Sequence, residues 1–258
     1  MISAGLLWKK KAVADDHTDK EDAAMRILAL DSSGLVASAA VVEEDQTIAE
    51  YTVNYKKTHS QTLLPMVDEI AGMIELDLGT LDAIAVAAGP GSFTGLRIGS
   101  ATAKGLGLAL DIPLIHIPTL EGLAYNLYGV SEMVCPLMDA RRKQVYTGVY
   151  SFQGGFSTVV DQCAVPVVEL ADRLNELGQA VIFLGDGVPV YRDVLDEALS
   201  VPHTYAPAHM NRQRAASVGA LGIEYFKQGR TETAAQHAPD YLRMSQAERE
   251  RAQREKKE

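Results

Sequence analysis

The stretch Gly89-Pro90-Gly91-Ser92-Phe93-Thr94-Gly95-Leu96-Arg97 has residue types and spacing that invite a chemical reading. It follows an apolar run, Asp82–Ala88, and opens a glycine-rich helical pattern. Strand, glycine turn and helix N-terminus is the arrangement in which backbone N–H groups hold phosphate. Three templates apply. A Walker loop needs Lys and then Ser or Thr after its last glycine, to reach the phosphates and hold magnesium; Gly95 is followed by Leu96 and Arg97. A dinucleotide turn reads GxGxxG, with an acidic residue closing the next strand to bind the ribose. Here Gly89, Gly91 and Gly95 give GxGxxxG, and the next strand ends in Pro118 and Thr119. A nucleophile elbow sets glycines two residues either side of its serine; Ser92 has Pro90 and Thr94 there. The turn fits none of the three.

Other chemistry leaves no clearer trace. The six histidines, His17, His59, His116, His203, His209 and His237, contain no i, i+4 pair and no HExxH. No two carboxylates stand out by spacing as an acid–base couple, so neither a metal site nor a catalytic residue is expected. Cys135 and Cys163 form no CxxC and suit buried thiols in a reducing compartment, hence a cytoplasmic setting. A formal net charge of −10 argues against a chain that grips nucleic acid unaided, since phosphate contact rests on clustered Lys and Arg. No apolar run approaches the roughly 18 residues that span a bilayer, and no membrane partner is expected.

The elements that would position these residues are regular. Arg26–Asp31, Leu35–Val42 and Thr47–Asn54 read as three strands, followed by a helix over Ser60–Leu76 and a strand over Asp82–Ala87. A helix over Phe93–Leu110, a strand over Ile112–Ile117 and a helix to Tyr128, with Thr119 as its N-cap, complete the set. The order then recurs. Met133–Asp139, Gln144–Phe152 and Phe156–Val165 are strands, Val168–Leu177 a helix, Ala180–Gly185 a strand and Pro189–Leu199 a helix. A short strand and a helix over Ala215–Gly229 end the set. Repeated βββαβα order makes this an α/β chain of two similar lobes meeting at a cleft: 25–129 and 130–243. Residues 1–24 read as a mobile extension and 244–258 as a charged tail.

Two helices carry unusual patterns. Gly95, Gly99, Ala103 and Gly107 recur every four residues and form a ridge of small side chains, which suits close approach of another backbone. Each interior glycine costs about 1 kcal/mol relative to alanine, so the ridge asks for a packing partner. The cationic positions of that helix, Arg97 and Lys104, share one edge. In the preceding helix Leu63, Leu64, Met66, Val67, Ile70, Ala71, Met73 and Ile74 cover an arc of about 180°, wider than one core requires. Either an outside subunit or the C-terminal helix of the same chain covers the excess.

Several motifs together resemble a known family. Ile27–Ser33 (ILALDSS), His59–Ile70 (HSQTLLPMVDEI), Ala85–Leu110 (AVAAGPGSFTGLRIGSATAKGLGLAL), Ile112–Ala124, Pro136–Tyr146 (PLMDARRKQVY), Leu184–Gly187 (LGDG) and Pro239–Arg243 (PDYLR) are similar to the TsaB, or YeaZ, family. The resemblance runs from Arg26 to Arg243 and is strongest in the first lobe. It implies an actin-like ATPase (RNase H-like) fold and a scaffold without catalysis of its own. That scaffold serves addition of the threonylcarbamoyl group to adenosine beside the anticodon of tRNA.

The implied partners are a TsaD-like transferase, a TsaE-like ATPase and, when the transferase is absent, a second copy of the chain. tRNA is met only through the complex. The family's partner contact is a bundle of the first two helices, which maps to Leu63, Met66, Val67, Ile70, Met73, Ile74, Gly95, Arg97, Gly99, Ala103, Lys104 and Gly107. Actin-like ATPases hold phosphate on glycine-rich hairpins at the start of each lobe. The counterparts here are Asp31-Ser32-Ser33-Gly34, only partly suited, and Asp139-Ala140-Arg141-Arg142, which has no glycine. No cofactor is therefore expected in the cleft. The competing readings are a self-sufficient ATPase or kinase and a metal-dependent peptidase.

Overall fold

Alternation along each central strand dictates two-sided sheets. In β1 (Ile27–Asp31), Leu28 and Leu30 point to one face, Ile27 and Ala29 to the other, and all four are fully buried. A computed structural model describes residues 24–55 and 59–242 of the chain; the expectations for the N-terminal extension and the charged tail lie outside them. β1, β2 (Val36–Val42), β3 (Thr47–Asn54), β4 (Ala83–Gly89) and β5 (Leu114–Pro118) form a sheet of order β3-β2-β1-β4-β5. The first three strands are antiparallel, while β4 and β5 run parallel to β1. β6 (Met133–Asp139), β7 (Gln144–Ser151), β8 (Ser157–Pro166), β9 (Val181–Leu184) and β10 (His203–Tyr205) repeat the plan as β8-β7-β6-β9-β10. The two lobes thus have the repeated topology of the actin-like fold.

Helices sandwich each sheet. α1 (Leu63–Met73) and α2 (Phe93–Leu110) cover one face of the first sheet, through Leu63, Met66, Val67, Ile70 and Ala103. α4 (Val167–Leu177) and α5 (Val188–Ala198) do the same for the second. The inner faces are exchanged. α3 (Thr119–Ala124) follows the first sheet but packs Leu120, Leu123 and Ala124 with Val134, Met138 and Tyr150 of the second. α6 (Ala215–Lys227) follows the second sheet but lies on the first. It meets the alanine-rich face of Ala29, Ala40, Ala83, Ala85 and Ala87. The fit is close: an added Cβ on Gly219 would stand 2.6 Å from the Val42 side chain, and one on Gly222 would stand 2.8 Å from Ala85 Cβ. Division of the chain near residue 129 therefore separates the sheets but not the packing.

Candidate functional site

The glycine turn between β4 and α2 knots three segments together. Gly89, at φ +134°, lies where an L side chain is strained, and a Cβ there would strike the Asp240 carbonyl oxygen. A Cβ on Gly91 would strike the Ser33 carbonyl, and one on Gly95 the Ser32 carbonyl. Three of its donors have partners within the protein. Gly89 N–H donates to Thr119 Oγ1 at 3.0 Å, Ser92 N–H to the Ser33 carbonyl at 2.7 Å, and Gly95 N–H to the N-cap hydroxyl of Ser92 at 3.3 Å. Ser32 Oγ in turn donates to the Gly95 carbonyl at 2.9 Å. These three amides bond to hydroxyls and a carbonyl of the protein itself rather than being held out to an anion. Thr119, expected as a helix cap, is the first residue of α3, where its hydroxyl oxygen accepts from the Gly89 amide; Pro118 stands at the N-cap.

The cleft between the lobes has a volume of about 400 Å³ and is lined by both expected hairpins. Ser33, Gly34 and His59 face it from the first lobe, Asp139, Arg141, Arg142 and Asp186 from the second. Asp31 lies beneath: its Oδ1 accepts from the Ser33 amide at 2.8 Å and the Ser33 hydroxyl at 2.7 Å. Burial raises its carboxyl to about 6, against the opposing effect of those two hydrogen bonds. Asp139 Oδ1 accepts from Tyr191 at 3.0 Å and the Arg141 amide at 2.9 Å, while Asp186 Oδ1 accepts from the Asp139 amide at 3.3 Å. Burial also raises the Asp186 carboxyl. Arg141, Arg142 and Lys143 form a left-handed hairpin tip, at φ +66°, +57° and +60°. The cleft thus presents exposed guanidinium groups beside carboxylates occupied by internal hydrogen bonds.

The expected partner residues divide in two. Leu63, Met66, Val67, Ile70, Gly95, Gly99, Ala103 and Gly107 are buried against their own lobe. The small ridge faces inward: a Cβ on Gly99 would meet Ser32 Oγ at 2.5 Å, and one on Gly107 would meet Leu114 Cδ2 at 2.9 Å. Its partners are the β1–β2 turn and β5, so the ridge residues lie on the inner side of α2 and not on its exposed surface. The C-terminal helix does not cover the apolar arc either, because α6 lies on the opposite face of the sheet. Met73 and Arg97 are exposed, Ile74 and Lys104 half-buried. Leu64 on α1 and Leu108 on α2, absent from the expected set, are also exposed. Gly72 and Gly105 have nothing within 4 Å of a Cβ position. Exposed glycines inside helical patterns were the available signal for this outer flank.

A strap formed by residues 230–242 returns to the first lobe. Glu232 exchanges backbone hydrogen bonds with Leu114 at 2.8 and 2.9 Å, extending the edge at β5. Lys104 Nζ donates to the His237 carbonyl at 2.9 Å, the Asp240 amide donates to the Ala88 carbonyl at 2.7 Å, and Arg97 Nε donates to the Tyr241 hydroxyl at 3.3 Å. This strap, not α6, occupies the cationic edge of α2. It also brings His237 and Glu232 to His116, a cluster able to hold a metal ion that spacing along the chain could not reveal.

Comparison with known proteins adds the context. The model of the family described as TsaD, tRNA N6-adenosine threonylcarbamoyltransferase, matches residues 46–251. A Bacillus subtilis (strain 168) protein, tRNA threonylcarbamoyladenosine biosynthesis protein TsaB, is 36% identical over 227 residues, covering 87% of this chain and 96% of its own. The Escherichia coli K12 protein of that name is 30% identical over 231 residues, covering 86% and 96%. Among solved structures, YeaZ from Pseudomonas aeruginosa is similar at a TM-score of 0.73 and 28% identity, over 84% of this chain and 100% of that one.

Proposed function

This chain belongs to the TsaB family of tRNA threonylcarbamoyladenosine biosynthesis proteins, and on that premise we propose that it is a non-catalytic subunit that docks a TsaD-like threonylcarbamoyl transferase through the outer flank of α1 and α2. The observation that carries the docking reading is a set of apolar side chains on α1 and α2 that none of the described residues covers. Met73 is 78% exposed, Leu108 70% and Leu64 53%, and Gly72 on α1 and Gly105 on α2 have open space at the Cβ position. Such a surface suits helix-on-helix packing with close backbone approach. Met73 and Arg97 touch the partner directly, Ile74 and Lys104 border the contact, and the eight buried residues set the height and angle of the two helices.

A TsaE-like ATPase completes the assembly, and the same flank pairs two copies of the chain when the transferase is absent. The net charge of −10 fits a subunit that meets tRNA only through its partners. The direct test is capture of a purified bacterial TsaD-like transferase by the tagged chain. Leu108→Glu and Met73→Glu, both on exposed positions, are expected to abolish capture while leaving the melting temperature unchanged. Capture that survives both changes refutes the docking surface.

Absence of catalysis is supported by three features: internal partners for the Gly89, Ser92 and Gly95 amides, the buried Asp31 carboxyl, and a second hairpin without glycine. The match to a transferase family model and the two arginines at the cleft favour a second reading, an enzyme acting alone. Magnesium and ATP without a partner are expected to give no turnover. Hydrolysis by the chain alone, lost in Arg141→Ala, would install that reading instead.

A further inference from the structure

We propose that His116, Glu232 and His237 form a binding site for a divalent transition-metal ion, zinc by donor preference, which fastens the C-terminal strap to the first lobe. His116 projects from β5, while Glu232 and His237 come from the strap. One ligand atom from each lies within 4.8 Å of the other two. His116 Nδ1 is 3.7 Å from Glu232 Oε1, and His237 Nδ1 is 2.6 Å from the same oxygen. Tetrahedral zinc with ligand bonds of roughly 2.0–2.1 Å sets its donors about 3.3 Å apart. The first separation needs to close, and the second to open, by only a fraction of an ångström.

The surroundings suit a metal in two ways. First, the backbone is already fixed: Glu232 is held by its paired bonds to Leu114, and His237 by its amide bond to the Thr233 carbonyl and by Lys104 on its own carbonyl. Second, Asp240 Oδ2 stands 3.6 Å from Nε2, the other ring nitrogen of His116. A carboxylate behind a ligating imidazole orients the ring and raises its basicity. Two imidazoles and a carboxylate favour zinc or a neighbouring first-row ion over magnesium or calcium, which take oxygen donors.

The test uses the full chain, freed of metal by a chelator. Calorimetric titration with zinc is expected to show one ion per chain, and cobalt(II) as the probe is expected to give the strong visible absorption of a low-coordinate site. Zinc should raise the melting temperature by mass action and slow proteolysis between Gly229 and Leu242. His116→Ala, which alters a half-exposed side chain, and Glu232→Gln, which keeps a hydrogen-bond acceptor for His237, should each weaken binding by on the order of tenfold or more. Failure of the wild-type chain to bind, or wild-type affinity in either variant, overturns the site. Binding that leaves strap proteolysis unchanged overturns its role as a fastener.

Discussion

Tyr241 lies on Phe93 with ring centroids 4.7 Å apart and planes inclined at 36°. Arg97 joins them: its guanidinium carbon sits 3.9 Å from the Phe93 centroid, and its Nε donates to the Tyr241 hydroxyl. The strap thereby ends on the first turn of α2, beside the flank proposed to dock the transferase. Tyr241→Ala should lower stability by about 1 kcal/mol, the usual value of an aromatic pair with a cation on its face. Amide exchange over residues 236–240 should accelerate markedly while β4 stays protected. Unchanged exchange in the strap would show that the ring contact does not hold it.

The glycines of the first lobe should split by location. Gly95→Ala places a methyl group against the Ser32 carbonyl, so at least about 2 kcal/mol of stability should be lost. Gly105→Ala and Gly72→Ala meet open space in regular helix and should each gain about 0.5–1 kcal/mol. Urea titration measures all three. If the outer flank takes a closely packed helix, the two stabilising changes should also weaken transferase capture, uncoupling stability from binding.

Asp31 predicts a definite pH dependence. Its carboxyl titrates near 6 in the folded chain against an ordinary 3.8. Between those values the native state keeps a proton that the unfolded chain has lost, so this group's contribution to stability falls as pH rises and is level above about 6. Two units correspond to about 3 kcal/mol as a ceiling. Asp31→Asn removes the charge but leaves Oδ1 to accept from Ser33. Its stability advantage over the parent chain should grow from pH about 4 to about 6 and then plateau. A pH-independent difference would contradict this reading.

The two thiols should react unequally. Cys135 is buried, bonded to Thr147 at 3.3 Å, and pushed by burial up to about 12. Cys163 on β8 is half-buried, with a smaller rise of the same origin. A thiol-reactive disulfide probe is expected to label Cys163 slowly in the native chain and Cys135 only after unfolding. Equal native rates would show that the second sheet opens more readily than its packing implies.

Much of this architecture is legible in residue order. Alternation in Ile27–Leu30 and Met133–Leu137 marks strands buried on both faces, and α2 begins and ends where its small residues and leucines do. Periodicity reports that a face exists, not what it faces. The ridge Gly95–Gly107 is therefore evident, while its neighbour, the Ser32–Ser33 turn, depends on which strands lie side by side. The same limit hides the crossing of α6 onto the first sheet. It also hides the meeting of His116 with His237, which occurs only because Glu232 pairs with β5. The useful local clue is the converse of the ridge: Gly72 and Gly105 interrupt helices at positions where nothing among the described residues asks for glycine.

The exchange of α3 and α6 makes the two halves interdependent. A gene severed near residue 129 would yield a front piece whose alanine-lined β-surface lies bare to water and a rear piece trailing a helix with nowhere to settle. Neither product is expected to be soluble by itself, yet co-expression should rebuild the parent from fragments. Swivelling of one half against the other must likewise proceed as a roll about that shared pair of helices rather than as a parting of independent bodies.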